Sequence, residues 1–433
     1  MDGDNLNLAK TSMEKVLTVG VDMDTDPINI EGSLDELEEL VRAAGGLSLG
    51  RVIQKRKAID PAYFIGRGKA IEIKEYCDKL DIDTVVFNDE LSGAQLRNLE
   101  ELINKKILDR TNLILDIFAN RASSKEGKLQ VKLAQLKYRL PRLVGFRDYL
   151  SREGGGIGTR GPGEQKLETD RRHILREINN IEKELRNIEA NRDIKRKRRL
   201  DSNLPIVALV GYTNAGKSTL LNGLVGLSNN DESKEVFVKD MLFATLDTSL
   251  RRGKLLNGQD FLITDTVGFV SKLPTHLIEA FKGTLEEVRY ADLILHVVDA
   301  SNEDLDIQIS TTLDILNSLE VLDKPIITVF NKMDLVELKE LVYDNYSIDE
   351  KIFISAKDTS DLNRLLELIE EKLPQKFKKV WIQIPYDKQQ LLNYLMNNYE
   401  VEDISHQVEG TLVNLSINSM DLERFKEFVI DRS

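Results

Sequence analysis

A chain of 433 residues, 41% hydrophobic and 31% charged, has room for two to four domains, each with its own core. One cysteine, Cys77, excludes an internal disulfide and a cysteine-built zinc site. No apolar run approaches the ~20 residues of a membrane helix, and the polar start MDGDNLNLAKTSMEK lacks a signal-type apolar core, so a cytoplasmic protein without a membrane span is expected. The net charge of −13 speaks against a nucleic-acid binder until its distribution is read. Arg121 to Arg199 holds 22 Lys/Arg against 11 Asp/Glu, a net of +11, and the rest of the chain carries −24. Such a segment either faces a polyanion or is a solvated helical surface.

In chain order, residues 1–14 read as a disordered tail and 15–120 as a small α/β domain. Its elements are a strand at Val16–Asp22, a helix capped by Ser33 and ended by Gly45, a strand GLSLGRVIQKR, a helix Gly68–Leu80, a strand TVVFND, a helix Ser92–Asn104, and KKILDRTNLIL, a strand running into a helix. Within it, FIGRGK (Phe64–Lys69) resembles half a phosphate loop. It lacks the first glycine at the right spacing and has Ala70 where a hydroxyl belongs, so it reads as a turn.

Residues 121–200 read as a basic helical hairpin. A helix over Ser123–Arg139 is expected to stop before Pro141. A second, Leu167–Arg199, repeats Leu167, Ile174, Ile178, Ile181, Leu185 and Ile188 at coiled-coil spacing. Between them lies REGGGIGTRGPGE. Its Gly156-x-Gly158-x-x-Gly161 is not a dinucleotide fingerprint, because no strand precedes it and Pro162-Gly163 stands where a helix should open. It is either a flexible linker or a loop carrying Arg152 and Arg160 to phosphates or bases. Lys195, Arg196, Lys197, Arg198 and Arg199 form a charged linker or a phosphate contact.

Residues 201–374 read as a doubly wound sheet, with apolar strands at Ile206–Val210, Phe261–Thr264, Leu293–Val298, Ile326–Phe330 and Ile352–Ile354. The first strand runs into Gly211-Tyr212-Thr213-Asn214-Ala215-Gly216-Lys217-Ser218-Thr219, a turn and helix N-terminus whose amides converge on a phosphate. Lys217 supplies a point charge for the outer phosphates and Ser218 a hydroxyl for Mg²⁺. At the end of the Phe261 strand, Asp265 can hold Mg²⁺ through water, and Gly268 in Asp265-Thr266-Val267-Gly268 can offer its amide to a γ-phosphate. Asn331-Lys332-Met333-Asp334 ends a later strand. A carboxylate there accepts from N1–H and the 2-amino group of guanine, a donor pair that adenine lacks. Ser355-Ala356-Lys357 offers an amide to guanine O6, and together these point to GTP with Mg²⁺. Between the phosphate-loop helix and the Phe261 strand, Phe243-Ala244-Thr245-Leu246-Asp247 is a switch candidate. Thr245 would reach Mg²⁺ and the γ-phosphate in the GTP state only, with Thr248 its competitor. Residues 375–433 read as a small α+β unit: a strand KVWIQIP, a helix Asp387–Asn398, paired strands Glu400–Gln407 and Thr411–Ile417, and a helix Asp421–Ile430.

The motifs GYTNAGKSTL, LFATLD, DTVGF and NKMD resemble those of a translation-factor-class GTPase. Joined to GGGIGTRGPGE, KLETDRR and the N-terminal GRGK, they resemble more closely the HflX family of the OBG–HflX-like superfamily. The resemblance runs from about Val16 to the C-terminus and favours Thr245 over Thr248. It implies an N-terminal α/β domain, a helical hairpin, a GTPase domain and, in many members, a small C-terminal domain. It also implies GTP hydrolysis, binding to the large (50S) ribosomal subunit and its rRNA, and in some members ribosome splitting. Some members bind ATP through N-terminal regions. Catalysis would rest on Lys217, Thr245 and Gly268. Where many GTPases place a water-orienting Gln, this chain has Phe269, so slow intrinsic turnover and activation by a partner are expected. Stress rescue and ribosome biogenesis are the other roles expected, and a monomer off the ribosome. Other readings are a GTP-gated protein scaffold docking through the coiled coil, and a nucleotide-driven RNA remodeller.

Overall fold

The computed structural model describes residues 13–23, 29–145, 162–200, 204–227, 249–266, 268–272, 287–302, 304–336, 350–373, 377–399 and 401–430. Arg152, Arg160, Phe243–Asp247 with Thr245, Thr248 and Val267 lie outside them, as do the side chains of Lys195–Arg199.

Four parallel strands make the first sheet: β1 (Glu14–Met23), β2 (Gly46–Arg56), β3 (Thr84–Phe87) and β4 (Lys106–Asp109), in the order β2-β1-β3-β4. Helices α1 (Ile30–Ala43), α2 (Arg67–Leu80), α3 (Gly93–Ile103) and α4 (Arg110–Arg121) connect and flank them. The helix cap falls at Asn29, not Ser33: the Asn29 side chain accepts from the Glu31 amide, one turn earlier than expected. Ser33 lies buried inside α1, where its hydroxyl accepts from Asn88 Nδ2 at 2.9 Å. Leu34, Leu37, Leu40 and Val41 form the buried stripe of α1. The GRGK segment is an ordinary helix start, with Lys69 paired to Glu72.

The hairpin consists of α5 (Lys125–Gly145) and the 39-residue α6 (Pro162–Leu200). Leu133 and Leu136 pack against Ile174, Ile178 and Ile181, and Lys125–Glu184 and Lys132–Glu177 pairs flank the seam. Two expectations are corrected here. Helix α5 continues through Pro141, at a helix-interior cost of about 3 kcal/mol. The adjoining Arg142 offsets it: it stacks on the Tyr138 ring at 3.4 Å and donates to the carbonyls of Tyr138 and Leu91, each at 2.9 Å. And α6 opens at Pro162 itself, the first-turn position where a missing N–H costs nothing.

The second sheet has six strands: β5 (Ile206–Gly211), β6 (Ser249–Lys254), β7 (Asp260–Asp265), β8 (Leu293–Asp299), β9 (Ile326–Asn331) and β10 (Glu350–Phe353), in the order β10-β9-β8-β5-β7-β6. All pairs are parallel except β6 with β7. Helices α7 (Lys217–Gly226), α8 (Leu305–Ser318) and α9 (Thr359–Lys372) cover it. Val207 and Leu209 face Leu220, Leu221 and Leu224 of α7 on one side. On the other, Ala208, Val210 and Ile294 belong to a buried cluster continuing into Leu34, Leu37, Leu113, Ile114 and Phe118 of the N-terminal unit. The N-terminal helices are thus packed onto the phosphate-loop sheet.

The last sheet is antiparallel, order β12-β13-β11-β14, from β11 (Phe377–Ile384), β12 (Val401–Gln407), β13 (Gly410–Asn418) and β14 (Val429–Ile430). With α10 (Gln389–Asn398) and α11 (Ser419–Phe425) it makes a βαββαβ unit. The expected helix Asp421–Ile430 is cut short at Phe425, because Val429–Ile430 adds a strand beside Trp381 and Ile382. No helix among the described residues is long and apolar enough to cross a membrane.

Candidate functional site

Strand β5 is buried along its whole length, so its polar chemistry begins only where it ends. Gly211 has φ +146°, and a Cβ there would collide with the Val297 carbonyl of β8. Asn214 takes the left-handed region at φ 62°, which asparagine tolerates. Gly216 (φ +91°) caps α7, and a Cβ there would collide with the Asn331 amide. The turn therefore closes around a concavity at a helix N-terminus, with backbone N–H groups available to an anion.

Lys217 lies in that concavity, buried, donating to the carbonyls of Gly211 at 2.9 Å and Tyr212 at 2.7 Å. Burial pulls its ammonium down to about 8, partly opposed by the Asp265 carboxylate. An anion seated there would raise it again. Ser218 donates to Asp265 Oδ2 at 2.8 Å. The hydroxyl and carboxylate side by side are hard oxygen donors that suit Mg²⁺ completed by phosphate oxygens and water. Thr266 donates its hydroxyl to the Leu209 carbonyl at 2.7 Å and so braces the strand end instead of facing the concavity.

At the far end of the sheet, Asn331 donates to the Ala215 carbonyl at 2.8 Å and accepts from the Ala356 amide at 2.9 Å. It ties phosphate loop, β9 end and β10 loop together. Of the Ser355-Ala356-Lys357 amides, one of which was expected to serve guanine O6, that of Ala356 is bonded to Asn331 in this structure. Lys332 sits at φ 64° with its ammonium 2.7 Å from Asp299. Asp334 accepts from the Ser355 hydroxyl at 2.8 Å and Lys357 at 3.3 Å, and these bonds hold its carboxyl below the usual range, Ser355 foremost. Its side chain is 35% exposed. Met333 is partly buried against Phe330 and Val298 and takes no polar part.

Two residues point elsewhere than a nucleotide. Tyr212 turns its ring into the core shared with the N-terminal unit, and its hydroxyl donates to Glu36 at 2.6 Å. Phe269 is buried in the same cluster, while its backbone pairs with the phosphate loop: Phe269 N–H donates to Gly211 at 3.1 Å and Thr213 N–H to Phe269 at 2.7 Å. Sequence reasoning missed Glu36, Asn88, Arg110 and Ser271, which form a buried polar cluster behind the loop. No local signal marks them: Glu36 stands among Asp35, Glu38 and Glu39, and Arg110 between Asp109 and Thr111.

A glycine-turned loop at a helix N-terminus, a buried lysine, a Ser–Asp pair and an Asn-Lys-x-Asp strand end on a doubly wound sheet define a P-loop GTPase. The family models agree: "GTP-binding GTPase N-terminal" matches residues 31–119, "GTP-binding GTPase Middle Region" 121–199 and "50S ribosome-binding GTPase" 206–332. The chain is 49% identical over 400 residues to GTPase HflX of Caldanaerobacter subterraneus subsp. tengcongensis, covering 92% of this chain and 91% of that one. It is 41% identical over 354 residues to GTPase HflX of Escherichia coli, covering 81% and 82%. A GDP complex of a GTP-binding protein from Sulfolobus solfataricus is 26% identical, covers 83% of this chain and 98% of its own, and superposes with a TM-score of 0.43. The chain belongs to the HflX family of GTPases, and its reaction is GTP hydrolysis.

Proposed function

We propose that this GTPase is a switch that binds the large ribosomal subunit through its basic hairpin when loaded with GTP, with a role in splitting, recycling, rescue or biogenesis of ribosomes, working as a monomer in the cytoplasm. The observation that carries this is the physical continuity of hairpin and site. Helix α6, about 58 Å long at 1.5 Å per residue, ends at Leu200, and β5 with its phosphate loop starts at Ile206. A basic polyanion-facing arm therefore feeds directly into the strand that bears Lys217. The match to a "50S ribosome-binding GTPase" family supports the same partner. The scaffold reading loses its main support, because the Ile174–Ile178–Ile181 face is already spent on α5.

We divide the chain at 120/121, 200/201 and 374/375. In the proposed assignment the amides of Asn214–Thr219 hold the α- and β-phosphates and Lys217 neutralises the outer ones. Ser218 and Asp265 would hold Mg²⁺, joined by Thr245 with GTP; the ion would offset charge developing between the β- and γ-phosphates. Gly268 would offer its amide to the γ-phosphate, and Asp334 would read the base. With Phe269 packed in the core, no side chain at that position orients the attacking water, so turnover is slow until a partner supplies the missing order. Sedimentation of the chain with purified large subunits, in GTP-analogue and GDP forms, tests this function.

A further inference from the structure

A carboxylate from the N-terminal unit reaches the segment that follows the γ-phosphate glycine. Glu36, on α1, has a side chain 14% exposed. Its Oε1 accepts from the Tyr212 hydroxyl at 2.6 Å and the Ser271 amide at 3.2 Å. Its Oε2 accepts from the Ser271 hydroxyl and lies 2.5 Å from the Arg110 guanidinium. Arg110, 2% exposed, also donates to Ser271 Oγ at 2.9 Å and to Asn88 Oδ1 at 3.0 Å. The neighbouring Lys272 is ion-paired with Asp89 at 2.6 Å. Residues 271 and 272 are therefore bonded to a unit more than 160 residues upstream.

On its other side the same segment is zipped to the phosphate loop by the two Phe269 backbone bonds. Gly268 lies between these anchorages. A Cβ built on it would stand 3.0 Å from Lys217 Nζ, while Lys217 spends protons on the carbonyls of Gly211 and Tyr212. Gly268 thus faces the lysine with no room for a side chain between them, beside the place a γ-phosphate would occupy. GDP has no phosphate to put there. A γ-phosphate there would compete with the Tyr212 carbonyl for Lys217 and pull on the Gly268 amide, in a chain tethered three residues on.

We infer that Glu36 is a positioning residue that sets the preference between GDP and GTP: its bonds to Ser271 and Tyr212 hold residues 269–272 in the arrangement that GDP tolerates and GTP must loosen. A ligand shifts an equilibrium only by its differential affinity for the two arrangements, and here the difference lies in the third phosphate. Linkage makes the effect reciprocal, so GTP loosens the grip of the N-terminal unit on residues 269–272. The inference rests on the nucleotide site described above.

The test titrates the full-length chain with fluorescent GDP and a fluorescent non-hydrolysable GTP analogue, in wild type, Glu36→Gln and Ser271→Ala. Glutamine keeps one acceptor and the shape but loses the charge that grips Arg110 and the Ser271 hydroxyl. Glu36→Gln is expected to tighten the GTP analogue about tenfold and Ser271→Ala about threefold, within the usual range of coupling between sites, with GDP affinity unchanged within twofold. An analogue-to-GDP ratio unchanged in both variants overturns the inference, and so does a ratio that falls. Should Glu36→Gln fail to fold, an unchanged ratio in Ser271→Ala is enough to overturn it. Failure of wild type to bind GDP at all would instead sink the site assignment.

Discussion

Replacing Asp334 by asparagine isolates the part of the site proposed to read the base. The carboxylate is pre-set by the Ser355 hydroxyl and Lys357 and stays ionised, because both bonds lower its pKa. Facing guanine, it would accept from N1–H and the 2-amino group. Charge-assisted bonds contribute about 1.5–3 kcal/mol each, and the low end applies to a side chain that is 35% exposed. The pair is then worth about 3 kcal/mol, or roughly 150-fold in affinity. Asparagine keeps one acceptor and turns the other into a donor, which opposes the guanine amino group but suits the 2-oxo group of xanthine. Calorimetric titration should show GDP weakened about 150-fold and xanthosine diphosphate strengthened by one to two orders of magnitude. Unfolding temperature should barely move, since the lost Lys357 pair is exposed and such pairs contribute little. GDP affinity within threefold of wild type would refute the assignment of this carboxylate to the base.

Two further predictions concern the core and the arm. His296, buried on β8 with neither ring nitrogen hydrogen-bonded, is held down to about 4 by burial, with Lys217 adding to it. Its folded pKa is below the unfolded 6.5, so the unfolded chain binds the extra proton and stability is lost as pH falls through that window. Wild type should lose roughly 2 kcal/mol more than His296→Leu between pH 7 and 4.5 in denaturant unfolding, and equal losses would contradict this. For the arm, binding to large subunits should fall steeply with salt, and neutralising Lys195, Arg196, Lys197, Arg198 and Arg199 together should weaken it and flatten the salt slope. A salt-independent interaction would argue against RNA contact.

The phosphate-loop sheet was legible because each of its central strands is an apolar run ending in a polar motif, and doubly wound topology places those ends together. The hairpin was legible because its stripe repeats over several turns. What escaped were features decided by tertiary contact. Asn29 rather than Ser33 caps α1 because Ser33 is drawn inward to Asn88. Pro141 stays helical because Arg142 stacks on Tyr138 and reaches Leu91. Strand β6 (SLRRGK) is polar and lies at the sheet edge, so it carries no apolar signature. Strand β14 is two residues long and exists only through its pairing with β11. In the site, the residues at strand ends were readable from local spacing. The Glu36–Arg110–Ser271 cluster was not, because its members are 74 and 235 residues apart along the chain. Tyr212 was read as a nucleotide contact from its place in the loop, but its side chain serves that cluster.

Co-sedimentation measures directly whether nucleotide state is coupled to subunit binding. Wild-type chain loaded with a non-hydrolysable GTP analogue should pellet with purified large ribosomal subunits at physiological salt, and the same chain loaded with GDP should remain mostly in the supernatant. Equal pelleting in both nucleotide states, or none in either, would contradict the account.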